Sequence, residues 1–216
     1  MSGSASPVLL AIDSSPMTET AVTRRLTRDF VGLWRGRFPA GEVIYRDLGA
    51  NPPPHPDALT LGAFGKPPDA LSDLEHEALR LSDRLVEEFI RADHVVIGSP
   101  MYNFTVTSGL KAWIDLVGRP GRTFSYGPAG AVGLLRDKQI VVVTARGGFY
   151  AGTGPEADND FQEGYLRAYF RFMGLEDVHF VHAEGQGVDL ETARRNEAVA
   201  LEGLRALFDG GVVAGP

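Results

Sequence analysis

Apolar residues fall along this chain in two alternating rhythms. Short runs, Val8 to Ile12, His94 to Gly98, Gln139 to Thr144 and Val178 to Val181, read as strands, the clearest being apolar on both faces as buried parallel strands are. Glu42 to Leu48 reads as one more strand, second in chain order. Between the runs the spacing changes to three and four. Val22, Leu26, Phe30, Leu33, Trp34 and Phe38 predict a helix from Thr20 to Phe38, stopped by Pro39-Ala40-Gly41. Leu74, Ala78, Leu81, Leu85 and Phe89 predict a helix from Ser72 to Arg91, capped by Ser72 or Asp73. Leu110, Ile114 and Val117 give a third, broken at Arg119-Pro120-Gly121. Phe161, Tyr165, Ala168, Tyr169 and Phe172 mark a fourth, and Leu190 to Phe208 the last. Strands alternating with helices predict an α/β fold: a doubly wound five-stranded parallel sheet flanked by helices, in a single domain over 1–216. Thr123–Tyr126 and Gly133–Leu135 suggest a small hairpin insertion. Residues 51–70, opening on Asn51-Pro52-Pro53-Pro54-His55-Pro56, are expected to be irregular, as a cover over a site or an inert excursion. Residues 1–7 and 210–216 are expected to fray.

Composition narrows the class. At 216 residues the chain buries a full core without staples. It has no cysteine, which excludes disulfides, thiolate chemistry and cysteine-based metal centres and suits a reducing cytosol. His55, His76, His94, His179 and His182 lack metal-ligand spacing, so no metal site is expected. The net charge of −7, from 21 Lys+Arg against 28 Asp+Glu, carries no basic stripe, which argues against nucleic acid. Val8 to Ile12 is too short for a signal peptide or a membrane span. The expectation is a soluble cytoplasmic protein acting on small molecules.

Three loops carry the candidate chemistry. Asp13 to Thr23, between the first strand and first helix, is rich in hydroxyls and meets a helix amino terminus, a ready anion site. It has neither a Gly-x-Gly-x-x-Gly nor a phosphate-loop lysine motif, but fits the Ser/Thr-rich loop by which flavodoxin-type folds hold a monophosphate. Plain helix capping is the competing reading, though it needs only one hydroxyl. Ser99 to Lys111 follows the third strand and sets Met101, Tyr102, Asn103 and Phe104 in a row, as a wall for a flat aromatic ligand or a plug over the core. Ala145-Arg146-Gly147-Gly148 ends the fourth core strand; paired glycines there let backbone N–H groups approach a ligand, or make an ordinary turn. No Gly-x-Ser-x-Gly elbow and no acid–base pair stand out, so a cofactor is expected to carry the chemistry.

Ser99-Pro100-Met101-Tyr102-Asn103-Phe104 with Ser108 to Asp115 resembles the FMN-dependent NADH azoreductases, also called FMN-dependent NADH:quinone oxidoreductases. The resemblance continues through Arg119 to Tyr126, Val143 to Gly148 and Ala183-Glu184-Gly185. It implies a flavodoxin-like homodimer with one FMN per subunit at the dimer interface. NADH would reduce the flavin by hydride transfer to N5, and a quinone, or an azo compound with cleavage of its azo bond, would then take two electrons in a ping-pong cycle. By the match, Ser14, Ser15, Ala21, Val22 and Thr23 would hold the FMN phosphate, and Pro100, Met101, Tyr102, Asn103 and Phe104 would line the isoalloxazine. Ala145, Arg146, Gly147 and Gly148 would meet its polar edge, with Tyr126 and Phe149 lining the substrate side, Tyr126 from its own or the neighbouring subunit. The sequence departs from many relatives in having Ala21 and Ala145 where serine stands. A flavodoxin-like electron carrier and a flavin reductase that releases reduced FMN are the alternatives. Arg46, Arg122 and Arg146 are candidates to meet a nicotinamide 2′-phosphate, and aromatics taken as exposed, such as Trp113, would support dimerisation.

Overall fold

The apolar runs pair side by side. The computed structural model describes residues 6–128, 130–153 and 156–213. In chain order the strands are β1 (Val8–Asp13), β2 (Glu42–Asp47), β3 (His94–Pro100), β4 (Phe124–Gly127), β5 (Gly130–Gly133), β6 (Gln139–Ala145) and β7 (Val178–Ala183). Five of them form one parallel sheet in the order β2-β1-β3-β6-β7, as expected, and β4 and β5 form the antiparallel hairpin. The helices are α1 (Val22–Arg37), α2 (Ala58–Ala63), α3 (Asp73–Arg91), α4 (Ser108–Val117), α5 (Phe161–Phe172) and α6 (Leu190–Asp209).

Strand alternation divides the core in two. Leu9, Ala11, Val96, Val141 and Val143 face α1 and α6, where Phe30 and Trp34 are fully enclosed. Leu10, Ile12, Val95, Ile97 and Val142 face α3, α4 and α5. Because both faces are covered, β3 is buried along its whole length, each branched side chain contributing about 1.5–3 kcal/mol.

Several expectations are corrected. Residues 51–70 are not wholly irregular: α2, capped by Asp57, and a 3₁₀ turn at Pro68–Ala70 interrupt them. The cause is local, since the Asp57 carboxylate takes both the N–H and the hydroxyl of Thr60. On α3 the buried line is Leu79, Ser82, Leu85, Val86 and Phe89, while Leu74 is 72% exposed. On α5 it is Gln162, Leu166 and Phe170, leaving Phe161 61% and Phe172 38% exposed. In both helices a polar residue lies inside the face. The Ser82 hydroxyl donates to Leu116 O (2.6 Å), and Gln162 Nε2 donates to Ser99 O (2.9 Å). Trp113 is likewise buried, edge-on to Phe89, so it gives no support to dimerisation. At the carboxyl end Val213 is enclosed and its N–H donates to Leu207 O, so the chain does not fray there. The expectations for residues 1–5 and 214–216 lie outside the described residues. Among the described residues no helix is long and apolar enough to cross a membrane.

The start of α3 carries a capping box, Ser72 with Glu75, and Glu75 also accepts from Lys66 Nζ at 2.5 Å. The Lys66 ammonium, helped by the Ser72 N–H, pulls the Glu75 pKa down to about 2. A lowered folded pKa means that the stability Glu75 confers is present above the unfolded value and lost as pH falls toward 2. Glu75→Gln should therefore lower stability near neutrality and flatten the acid limb, the two proteins converging as pH falls below about 4.5 toward 2, measured by urea unfolding.

Candidate functional site

At the carboxyl ends of β1 and β3 the chain turns in opposite directions, to β2 on one side and to β6 on the other. Such a reversal opens a crevice above the strands. On its β1 side, Ser14 is spent on the frame: its N–H and its hydroxyl both reach Gly98 O, at 3.0 and 2.7 Å. The Ser15 hydroxyl accepts from Met17 N and keeps its own proton to donate. α1 then starts on Ala21, an N-cap with no side-chain cap, and its first helical bond is Arg25 N to Ala21 O. The amides of Val22, Thr23 and Arg24 precede it and have no helical acceptor. Thr23 Oγ1 is enclosed without a hydrogen-bond partner. One uncapped helix end, one orphan hydroxyl and one free serine proton suit an oxyanion held by neutral donors.

The loop is clamped from below. Arg24 makes a two-pronged contact with Asp47 (2.7 and 2.6 Å) and donates to Ser15 O at 2.8 Å. The Arg24 guanidinium holds the Asp47 carboxyl below the ordinary range. Asp13 is pushed up by burial, against hydrogen bonds from Thr27 (2.6 Å) and Tyr45 (2.8 Å). Gly49 lies so close that a Cβ there would be 1.8 Å from Ser15 O.

On the β3 side Tyr102 and Thr105 exchange backbone bonds of 2.9 and 3.1 Å around Asn103 and Phe104. Both turn residues are left-handed, φ 47° and 69°. Asparagine tolerates this, but the second position favours glycine, so Phe104 stands there at a cost of about 1–2 kcal/mol. Tyr102 and Phe104 are 41% and 46% exposed. They therefore do not plug the core, which leaves their rings open to the crevice side. Met101 N–H donates to Ala145 O (2.9 Å), which sets this turn beside the loop after β6.

In that second loop the carbonyls of Arg146, Gly147 and Gly148 accept from Gln186, Gly187 and Gly185. The N–H groups of Gly147 and Gly148 have no acceptor among the described residues. A Cβ at Gly147 would meet open space, whereas one at Gly148 would strike Glu156. Arg146 runs inward: its side chain is fully enclosed, with Asp160 at 3.0 Å and Glu184 at 3.5 Å. Behind it Thr144 Oγ1 lies 2.8 Å from His182 Nδ1, and His182 Nε2 lies 3.1 Å from Glu163. Burial, reinforced by Arg146, lowers the His182 pKa, so this histidine is neutral at pH 7.

The fold thus brings together Ser15, Val22 and Thr23 at one end of the crevice and Pro100 to Phe104 with Ala145 to Phe149 at the other. Tyr126, 75% exposed on β4, stands on the hairpin apart from the main sheet. Arg46 is paired with Glu88, and Arg122 with Glu87 and Asp83. With Arg146 enclosed, none of the three is a free cation. Sequence reasoning missed Arg24, Asp47, Asp160 and Glu184 as the frame of the site. Only Asp160 left a local signal, as an N-cap whose Oδ1 accepts from the N–H groups of Gln162 and Glu163.

The crevice, the anion-ready helix end and the exposed aromatic turn define a flavin-type α/β protein. Residues 8–206 match the family described as having the flavodoxin-like fold. An FMN-dependent NADH:quinone oxidoreductase of Pseudomonas putida is 48% identical over 177 residues, 82% of this chain and 87% of its own length. One from Pseudomonas aeruginosa is 45% identical over 93% of this chain and 92% of its own. Among solved structures, an azoreductase from Bacillus anthracis superposes with a TM-score of 0.85 at 28% identity, covering 93% of this chain and 98% of its own. An FMN-dependent NADH-azoreductase from the same species, in complex with FMN, gives 0.81 at 26%, covering 93% and 99%. The chain belongs to the flavodoxin-like family of FMN-dependent NADH:quinone oxidoreductases and azoreductases.

The orphan hydroxyl has a stability consequence. Thr23→Val keeps the shape and removes an unsatisfied buried group, so the ligand-free protein should gain about 1 kcal/mol in denaturant unfolding. A loss of stability would mean that the hydroxyl has a partner.

Proposed function

We propose that this chain binds FMN across the crevice and passes two electrons from NADH to quinones, and to azo compounds with cleavage of the azo bond. The observation that carries the reading is the Met101 N–H to Ala145 O bond, which sets the exposed Tyr102–Phe104 turn beside the unengaged amides of Gly147 and Gly148. The residues fit the cofactor at both ends. Ser15, Thr23 and the first-turn amides of α1, with Ala21 and Val22 supplying backbone, would hold the phosphate; Ser14 supports them from the frame. Pro100 to Phe104 would hold the ring system, and the amides of Gly147 and Gly148 would meet its polar edge. When bound, FMN supplies the redox chemistry, hydride in from NADH at N5 and two electrons out to the acceptor in alternation.

This chain's own part is positioning and electrostatics. Amides aimed at a developing negative charge stabilise it without reorganisation, and rigid aromatic walls exclude water and align flat reactants. Replacement of serine by Ala145 removes a side-chain donor there, which leaves that task to the backbone. The three candidate arginines are all paired, which favours NADH over a 2′-phosphorylated donor. Exposed Tyr102, Phe104, Tyr126, Phe149, Phe161 and Phe172 support a homodimer that covers the open side of the site. A chain without cysteine is in keeping with a cytoplasmic setting.

The test is a visible spectrum of the purified protein with FMN, followed by anaerobic titration with NADH. Bleaching by one equivalent and recovery on adding a quinone are expected. A bound flavin that NADH leaves oxidised would instead mark an electron carrier, and rapid loss of reduced FMN a flavin reductase. Gly147→Val, where a side chain meets open space, should fold normally yet weaken FMN binding about tenfold or more in a fluorescence titration. Wild-type affinity would remove Gly147 from the site.

A further inference from the structure

We infer that Arg146 is a positioning residue, a buried guanidinium that locks the rim of residues 147–151 in the shape that leaves the Gly147 and Gly148 amides free. This rests on the FMN reading for its consequence, but not for its geometry. The side chain is wholly enclosed, yet among the described residues only Nη1 has partners: Asp160 at 3.0 Å and Glu184 at 3.5 Å. Nε and Nη2 are buried with none. A group that strands two donors in the interior does not owe its place to optimal local bonding.

Its place is explained by what the two carboxylates hold. Asp160 caps α5, taking the N–H groups of Gln162 and Glu163 at 3.1 and 3.0 Å. α5 in turn reaches β3 through Gln162 Nε2, bonded to Ser99 O and Oγ just before the aromatic turn. Glu184 Oε1 takes the N–H groups of Tyr150 and Ala151 at 2.7 and 2.9 Å. The Arg146 backbone closes the ring, its N–H on Ala183 O and its carbonyl on Gln186 N. One cation therefore joins the loop after β6, the amino end of α5 and the loop after β7.

Without that charge, Asp160 and Glu184 would face each other across a single vacated nitrogen in a poorly solvated space. Like charges at that range repel strongly where water is scarce. The cheapest relief is for Glu184 to swing out, and it would release the amides of Tyr150 and Ala151 as it went. The preceding glycines would then sample conformations in which their N–H groups no longer converge. A lysine can likewise offer one nitrogen to both acids, but on a flexible stem without the rigid guanidinium plane that fixes its position, so it restores the charge but only part of the geometry.

The experiment compares wild type, Arg146→Met, Arg146→Lys and Glu184→Gln. Amide hydrogen exchange is followed in the ligand-free protein, and FMN affinity and the midpoint potential of the bound flavin in the loaded one. Arg146→Met should speed exchange at 147–151 about tenfold or more relative to the sheet, raise the FMN dissociation constant by a similar factor and lower the potential. Arg146→Lys should recover part of each. Should Arg146→Met fail to fold, Glu184→Gln decides: it keeps the acceptor oxygen and loses the charge, and exchange at 150–151 should rise severalfold. A purely structural role would lower the melting temperature while local exchange, affinity and potential stay at wild-type values, and that result overturns the inference. If wild type itself binds no FMN, the cofactor reading fails, while the exchange measurement still judges the clamp.

Discussion

Everything in this structure hangs on the close contact between the ends of β1 and β3. Ser14 delivers both its N–H and its hydroxyl to Gly98 O, and Gly98 has no room for a side chain. A Cβ there would sit 2.8 Å from Asp13 Oδ1 and 2.9 Å from Thr27 Cγ2. β1 ends opposite Gly98, two residues before β3 does, and the loops that leave them diverge, one to the edge strand β2 and the other toward β6. The crevice is what lies between diverging loops at a reversal of strand order. The loop after β1 and the loop after β3, which face each other across it, are placed by the same contact.

The site is built almost without free charge. Arg24 and Arg146 stand near its two ends, and each is committed to carboxylates beneath the surface. What faces the crevice is dipolar: an uncapped helix start, a serine proton and glycine amides. Neutral, fixed dipoles suit a cofactor whose charge changes during turnover, because they need not move when it does. The charges serve as fasteners, giving two loops the stiffness that dipoles need to be effective. Phe104, held at φ 69° where glycine is favoured, is the same logic expressed as strain: backbone energy spent to present a ring.

The pattern of apolar residues misled on α3 and α5 for one shared reason. On α3 and α5 a polar residue, Ser82 or Gln162, sits inside the packed face, with its hydrogen bonds made across the fold to Leu116 and Ser99. A periodicity count assigns such residues to solvent and turns the helix accordingly. That is why Leu74, Phe161 and Phe172 were expected inside and lie outside. Trp113 erred the other way, because one tryptophan on a short helix gives no hint of the Phe89 ring against which it packs.

The sequence by itself determined the strand and helix order, the parallel sheet, the three strand-end loops and the family, because these follow from local periodicity, turn chemistry and short motifs read along the chain. Only the tertiary structure decided which face of α3 and α5 is buried, that the Met101–Phe104 turn is exposed, and that Arg146 points inward. It alone joined Arg24 to Asp47, and Arg146 to Asp160 and Glu184, pairs separated by tens of residues in two of the three cases. Attraction between distant charges and satisfaction of buried polar groups depend on where the chain returns in space, and no window along the sequence contains that distance.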